Sequence, residues 1–450
     1  MPRLPSRFLP TRLRGACLLT VAALGLGATA ARAETLSQLY DAARAYDATY
    51  LSARALADAA EFKAAQADAL LRPSARLNGS ASQVLNNGVL GNTVNGRTAT
   101  VGLQGSQSLF NKANGATVAQ ARRALEISKA DLETAEQDLV VRVAQAYFDV
   151  LGAQDTLAAA QAFKKAVAEQ LASAKRNFEV GTATITDSRE AQARYDLATA
   201  RELVADNDLR TKRTVLDQLV GRNGVAPQGL ALPVALPPVL PADMDAWVRT
   251  AEDSHPAIRK AQLGQLVAQL ETEKARAAAL PTVDLTGSVG TTRNAGSAYV
   301  PNASRGTITA GSVGVQVNMT LFSGGLIENR VKETVVLEEK ARQDLEAARR
   351  GVGLGTRSAY LGVQSLLGQV KALEAAEAST KLALDATELG YKVGVRVNLD
   401  VLNAQSQLYD TRRDLAKARY DVLVNRLKLR QAAGQLRAQD LRGVDALLAP

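Results

Sequence analysis

A mostly α-helical fold that carries four β-strands and is built from two copies of one half is predicted by three observations. First, Phe178-Glu179-Val180-Gly181 recurs as Tyr391-Lys392-Val393-Gly394, Asp187 recurs as Asp400, and Ala191-Gln192 recurs as Ala404-Gln405, all 213 residues later. The same register joins Ala146-Tyr147 to Ala359-Tyr360, and Gln218 and Gly221 to Gln431 and Gly434. It slips to 212 at Leu109-Phe110 and Leu321-Phe322, and to 208 at Pro73 and Pro281, which places small length differences in the intervening loops. A unit of this size far exceeds the roughly 20–50 residues of a solenoid repeat, so the sequence describes a duplicated half-structure. Second, residues 115–178 and 327–393 contain no proline and predict two very long helices. Third, four short segments change to the alternating apolar and polar period of strands.

Residues 1–33 read as a secretory signal. Arg3, Arg7, Arg12 and Arg14 form a basic start, Cys17 to Ala31 an apolar stretch of small and branched residues, and Ala31-Arg32-Ala33 a cleavage site. Arg14 stands where a lipoprotein acceptor cysteine would need an aliphatic residue, so Cys17 is not read as a lipid anchor. Removing this segment takes away the only cysteine and five arginines but no acid, and lowers the formal charge from +9 to +4. No disulfide or thiol nucleophile is then available, and so mild a charge gives no footprint for nucleic acid.

Residues 34–72 are alanine-rich and predict a helix that Pro73 ends. In 74–82, Ala75, Leu77, Gly79 and Ala81 alternate with Ser74, Arg76, Asn78, Ser80 and Ser82, a strand. An Asn/Gly-rich loop at 84–97 leads to a second strand with Val101, Leu103 and Leu109 on one face. The long helix at 115–178 would be roughly 100 Å at 1.5 Å per residue. A tight break around Gly181 separates it from a helix at 187–220, so the two must pack as an antiparallel hairpin. Five prolines between 222 and 243 mark a linker.

The second half repeats the plan. A helix at 244–280 is stopped by Pro281; Val283, Leu285 and Val289 begin a strand, and a loop with Asn294, Gly296, Pro301, Asn302 and Gly306 follows. The clearest strand has Val313, Val315, Val317, Met319 and Leu321 on one face. Helices at 327–393 and 399–436 close the repeat, and 437–450 form a tail. No mature segment approaches the roughly 20 apolar residues of a spanning helix. Four strands of about ten residues with one apolar face fit a membrane barrel, which needs about eight or more strands and hence several chains. They equally fit a soluble antiparallel sheet with one wet face. Phe110, Tyr299 and Phe322 are a thin set of interfacial aromatics, in keeping with aromatics at only 4%.

Catalytic and cofactor signals are weak. Gly351, Gly353 and Gly355 lie in a helical pattern with no preceding strand, unlike a dinucleotide fingerprint. His255 is the only histidine, which argues against a metal site or a histidine triad. Trp247 reads as a packing anchor. No enzyme activity and no cofactor is implied.

The helix–strand–strand–helix plan, Leu109-Phe110 and Leu321-Phe322-Ser323-Gly324-Gly325, and the stretches 180–187 and 391–405 around the two Val-Gly turns together resemble TolC-type outer-membrane channel proteins, especially the branch serving type I protein secretion. The resemblance covers nearly the whole chain after residue 33. It implies a homotrimer whose chains each give four strands to one twelve-stranded outer-membrane barrel and their helices to a periplasmic α-helical tunnel. It also implies a passive export duct, for secretion or multidrug efflux, opened by a periplasmic adaptor (membrane fusion protein) and an inner-membrane ABC or proton-driven transporter.

In that family the two turns form the periplasmic entrance. Thr186 and Asp187 match constriction residues of the first repeat, Tyr391 and Arg396 their partners in the second, and Asp400 an acidic ring. Asn403 departs from the pattern, which has an aspartate there, so this ring would carry less negative charge. Asp and Arg on facing turns can latch hairpins by charge-assisted bonds. The plainer role for Asp187 and Asp400 is helix N-capping, for Arg396 a solvated loop, and for Tyr391 hairpin packing. A periplasmic coiled-coil adaptor or structural protein would also carry long hairpins, but it would lack a strand–loop–strand unit in each half.

Overall fold

The computed structural model describes residues 34–87, 93–182, 184–231, 236–295 and 306–449. The expected signal segment lies outside these residues, as do Gly296, Tyr299, Pro301 and Asn302 of the second strand loop. Helices α1 (Leu36–Tyr46) and α2 (Ala48–Asp68), strands β1 (Ser74–Asn87) and β2 (Thr93–Phe110), and helices α3 (Lys112–Glu179) and α4 (Ile185–Val220) form the first half. The second half follows the same order: α5 (Met244–Ser254), α6 (Pro256–Ala277), β3 (Thr282–Ala295), β4 (Gly306–Asn318), α7 (Leu326–Lys392) and α8 (Asn398–Ala432). A short α9 (Asp440–Asp445) ends the chain.

Both expected N-terminal helices are broken, at matching places. Asp47 separates α1 from α2 and accepts from Tyr50 N at 2.7 Å; His255 separates α5 from α6 and accepts on Nδ1 from Ala257 N at 3.1 Å. Each is thus an N-cap, and Pro256 at the first position of α6 suits a site that needs no N–H. Arg142 grips Asp47 through two bonds of 2.9 Å. Its hydrogen bonds hold the Asp47 carboxyl below the usual carboxylate range. The pair therefore stabilises the fold above that range, and its contribution is lost as pH falls through the lowered value.

The four strands form one antiparallel sheet in the order β1-β2-β3-β4, with β2 and β3 joining the halves. The strands are longer than the side-chain alternation suggested, and most of the loop expected at 84–97 is paired backbone. At the other end β4 stops at Asn318, short of Met319 and Leu321. Register puts Leu77, Leu103 and Val289 in one row, and Arg76, Gln104, Ser288 and Ser312 in a row on the opposite face. The polar face is laced by hydroxyl contacts, Ser288 to Ser312 at 2.9 Å and Thr100 to Thr292 at 3.2 Å. Its Thr100, Gly102, Gly290 and Thr292 are half-covered, whereas the apolar side is bare: Val313 is 84% and Leu77 73% exposed. A soluble sheet would lay that side on a core.

Helix α3 packs against α2 and α6 along one stretch and against α4 and α8 along the other. Its middle carries the main core, where Leu139, Val140, Val143 and Tyr147 meet Leu36, Leu39 and Tyr40 of α1 and Leu441 of α9. Here the expected linker and tail are pinned. Glu34 N donates to Ala226 O at 2.9 Å, Ala231 N to Leu447 O at 3.0 Å, and the Tyr147 hydroxyl to Gln228 O at 2.7 Å. Trp247 anchors the linker through Nε1 to Pro241 O at 2.9 Å.

Helices α4 and α8 both end on left-handed glycines, Gly221 at φ 73° and Gly434 at φ 68°. Each lies against the helix break of its own half. A Cβ on Gly221 would enter the Tyr46 ring, and one on Gly434 would sit 2.6 Å from the His255 Cα. Backbone cannot yield as a side chain can. Gly434→Ala should therefore lower the apparent melting temperature more than Gly224→Ala, which has the same handedness at φ 75° but open space around it. The latter should cost only the left-handed strain, about 1–2 kcal/mol. Equal shifts of the two variants in a thermal melt would contradict this packing.

Candidate functional site

The two hairpin tips lie at the far ends of α3 and α7, roughly 100 Å along α3 from the sheet by helical rise. Their geometry recurs. Gly181 and Gly394 take φ 78° and 79°, and the closing bonds Thr182 N to Asn177 O (2.8 Å) and Val395 N to Gly390 O (2.9 Å) occupy matching positions. Both are Schellman closures that need a left-handed residue. Val180, Val393, Val395 and Val397 stand exposed on the tips.

The tips differ in what their side chains do. In the first, Asp187 forms a capping box with Thr184: Oδ2 accepts from Thr184 N at 2.9 Å, and Asp187 N donates to Thr184 Oγ1 at 3.2 Å. Capping is therefore one task of Asp187, as third helical residue rather than as N-cap. Thr186 is exposed beside it. In the second tip Arg396 lies 3.6 Å from the Asp400 carboxylate, and its stem folds over Gly390, where a Cβ would sit 2.8 Å from Arg396 Cγ. Asp400 is in the first turn of α8, where a negative charge suits the helix dipole.

Near the tips, three side-chain bonds tie the hairpins together among the described residues. Asn177 Nδ2 donates to the Tyr391 hydroxyl at 3.2 Å, Arg194 donates to Asn403 Oδ1 at 2.9 Å, and Gln170 Nε2 donates to Asn398 Oδ1. Tyr391 and Asn403 thus lie on the contact between hairpins. Among the described residues, no bond joins Thr186 or Asp187 to Tyr391 or Arg396 within the chain. Asn177, Arg194, Gln170 and the buried Asn398 are contact residues that the repeat comparison passes over. It aligns equivalent positions, and Asn177 is equivalent to Gly390, not to its partner Tyr391. Asn398 Nδ2 and Gln405 Oε1 are buried without a partner among the described residues, so this seam retains unused polar capacity.

The arrangement offers no nucleophile and base in contact, and among the described residues no cluster of His, Cys, Asp and Glu could hold a metal. Its chemistry is that of polar contacts between two rigid arms.

Comparison with known proteins agrees with this architecture. The family model described as outer membrane efflux protein matches residues 39–222 and 247–435. The chain is 32% identical over 425 residues to the outer membrane protein TolC of Escherichia coli, covering 93% of this chain and 85% of that one. It is 35% identical over 314 residues to the alkaline protease secretion protein AprF of Pseudomonas aeruginosa, covering 69% and 64%. The crystal structure of the outer membrane protein VceC of Vibrio cholerae superposes with a TM-score of 0.75 at 19% identity, covering 89% and 96%, and so shares the fold. With both halves matched by the one family model and long helices leading from a bare-faced sheet to twin tips, the chain belongs to the outer membrane efflux protein family, as a channel of the outer membrane.

Proposed function

We propose that the chain is one third of a passive duct for type I protein secretion or efflux. Three copies close a twelve-stranded barrel, their helices continue it as a tunnel, and the hairpin tips gate the far end. In this reading 1–33 is removed as a signal, 34–221 and 244–436 are the two repeats, 222–243 connects them and 437–450 is a tail.

The observation that carries the reading is the sheet. Its apolar face is uncovered and its edge strands β1 and β4 have no outer partner among the described residues. Backbone groups in lipid must all be paired, which only closure against other chains can achieve here. The polar face then lines the lumen. A second surface points the same way: on α7, Leu354, Leu361, Leu382 and Leu389 are exposed at multiples of seven residues, the stripe of a coiled-coil seam awaiting a neighbour.

The entrance works as a latch between unlike hairpins. Tyr391 holds Asn177, Asn403 holds Arg194, and in the trimer Arg396 and Asp187 reach across the remaining seams. Asp400 contributes to a negative ring that Asn403 leaves weaker than one built of two acidic residues. The exposed valines of the tips offer an apolar surface to a periplasmic adaptor, which with an inner-membrane transporter supplies the energy.

Two experiments test these points. Tyr391→Phe combined with Arg396→Ser removes the Asn177 bond and the Asp400 pair, and should raise single-channel conductance in a planar bilayer. Unchanged conductance from a normally assembled oligomer would refute the latch. Leu361→Glu with Leu382→Glu places charge on the α7 stripe without touching a core of its own chain. It should abolish the heat-sensitive oligomer band on gels of outer-membrane fractions, and persistence of that band would remove α7 from the subunit interface.

A further inference from the structure

A cavity of ≈ 350 Å³ lies where the linker and α9 cover α8, well away from the hairpin tips. Val239, Trp247, Leu427 and Val444 supply apolar wall, and Arg426 and Arg430 supply charge. Pockets of this size, mostly apolar with a few convergent polar groups, are the usual form of a small-molecule site. The export duct makes no use of this one.

Its charges do not balance. Asp440 Oδ2 sits 3.0 Å from Arg430 Nε, yet that N–H is buried and outside hydrogen-bonding alignment. The same carboxylate oxygen already accepts from Arg437 N at 2.9 Å. Among the described residues, no carboxylate lies within ion-pair distance of Arg426. Burial and the neighbouring Arg430 both press its guanidinium to release its proton. A half-buried cation one helical turn from a second cation and beside apolar wall is costly until an anion joins them. Two guanidiniums and one carboxylate leave a single positive charge to be met.

We propose that this cavity binds an amphipathic monoanion of the medium-chain acyl carboxylate class. The carboxylate sits between Arg426 and Arg430, where guanidinium forks suit its geometry, and the acyl chain runs along Trp247, Leu427 and Val444. The occupant would bridge α8 to the linker and to α9, the segments that hold the two halves at mid-height of the helices.

Trp247 is the only tryptophan in the chain, which makes the cavity self-reporting. Octanoate, titrated into the purified protein in non-ionic detergent, should change Trp247 fluorescence saturably, while octanol at equal concentration should give only a linear drift. Loss of the charged partner in Arg426→Gln should weaken octanoate by about tenfold or more, and Arg426→Lys, which keeps the charge but not the fork, should weaken it less than Arg426→Gln. An octanol response that saturates like that of octanoate overturns the proposal, as does Arg426→Gln binding octanoate like the parent. The comparison of octanoate with octanol on the unaltered protein decides the matter even if a variant fails to fold.

Discussion

The clasp on α3 is the contact on which the rest of the chain depends. A helix of 68 residues with little net amphipathicity cannot stand alone in water, because most helical stability comes from tertiary packing. Here it is held on one flank by α2 and then α4, and on the other by α6 and then α8. The chain is poor in aromatics, and it places them on this clasp. Phe148 stacks on Tyr420 with ring centroids 5.6 Å apart, and Phe163 on Tyr409 at 5.2 Å. Both pairs cross from the first half to the second, so the halves are fused along α3 rather than strung on a linker.

Helix α7, its counterpart, is clasped on one flank only, by α5, α6 and α8. The halves share an element order, but they cannot share an environment while α3 alone takes the second half's α6 and α8 on its free flank. The exposed heptad stripe of α7 and the unpaired edges of β1 and β4 are two expressions of that incompleteness. A neighbour that covers one is in position to pair the other, since α3 and α7 begin within a few residues of the sheet. On the proposed trimer, barrel closure and tunnel closure would thereby be one event.

The repeat, the long helices, the twin glycine turns and the two-faced strands were all legible in the sequence, because each rests on local chemistry. The helix breaks at Asp47 and His255 were harder to read. Each leaves the alanine-rich pattern intact and announces itself only by a cap residue, with Pro256 the stronger sign. Strand ends were obscured for a different reason. Asn86, Asn87, Thr93 and Asn95 look like a loop by composition, but the ladder bonds belong to the backbone and continue through them. The entrance was read by residue type but not by partner. Internal comparison pairs Asp187 with Asp400, while contact pairs Tyr391 with Asn177 and Asn403 with Arg194.

That last difference bears on how the proposed gate can open without the helices of the chain coming apart. Within the first hairpin, Ala160, Val167 and Ala174 of α3 face Ala191, Ala198 and Ala205 of α4, all buried and spaced by seven. Small residues at coiled-coil spacing bring the helices close along their length, and separating them would expose the whole stripe to water. Across the hairpins, Leu402 and Tyr409 of α8 add to that buried cluster, but the outermost contacts, Asn177 to Tyr391 and Arg194 to Asn403, are single hydrogen bonds, each with a net value of about 0.5–1.5 kcal/mol. Water can replace them one for one when the arms part. The weakest contacts between the hairpins therefore lie at the tips themselves. In the proposed gate, opening would part the arms from the tips inward, with Tyr391 and Asn403 as the groups that let go within the chain.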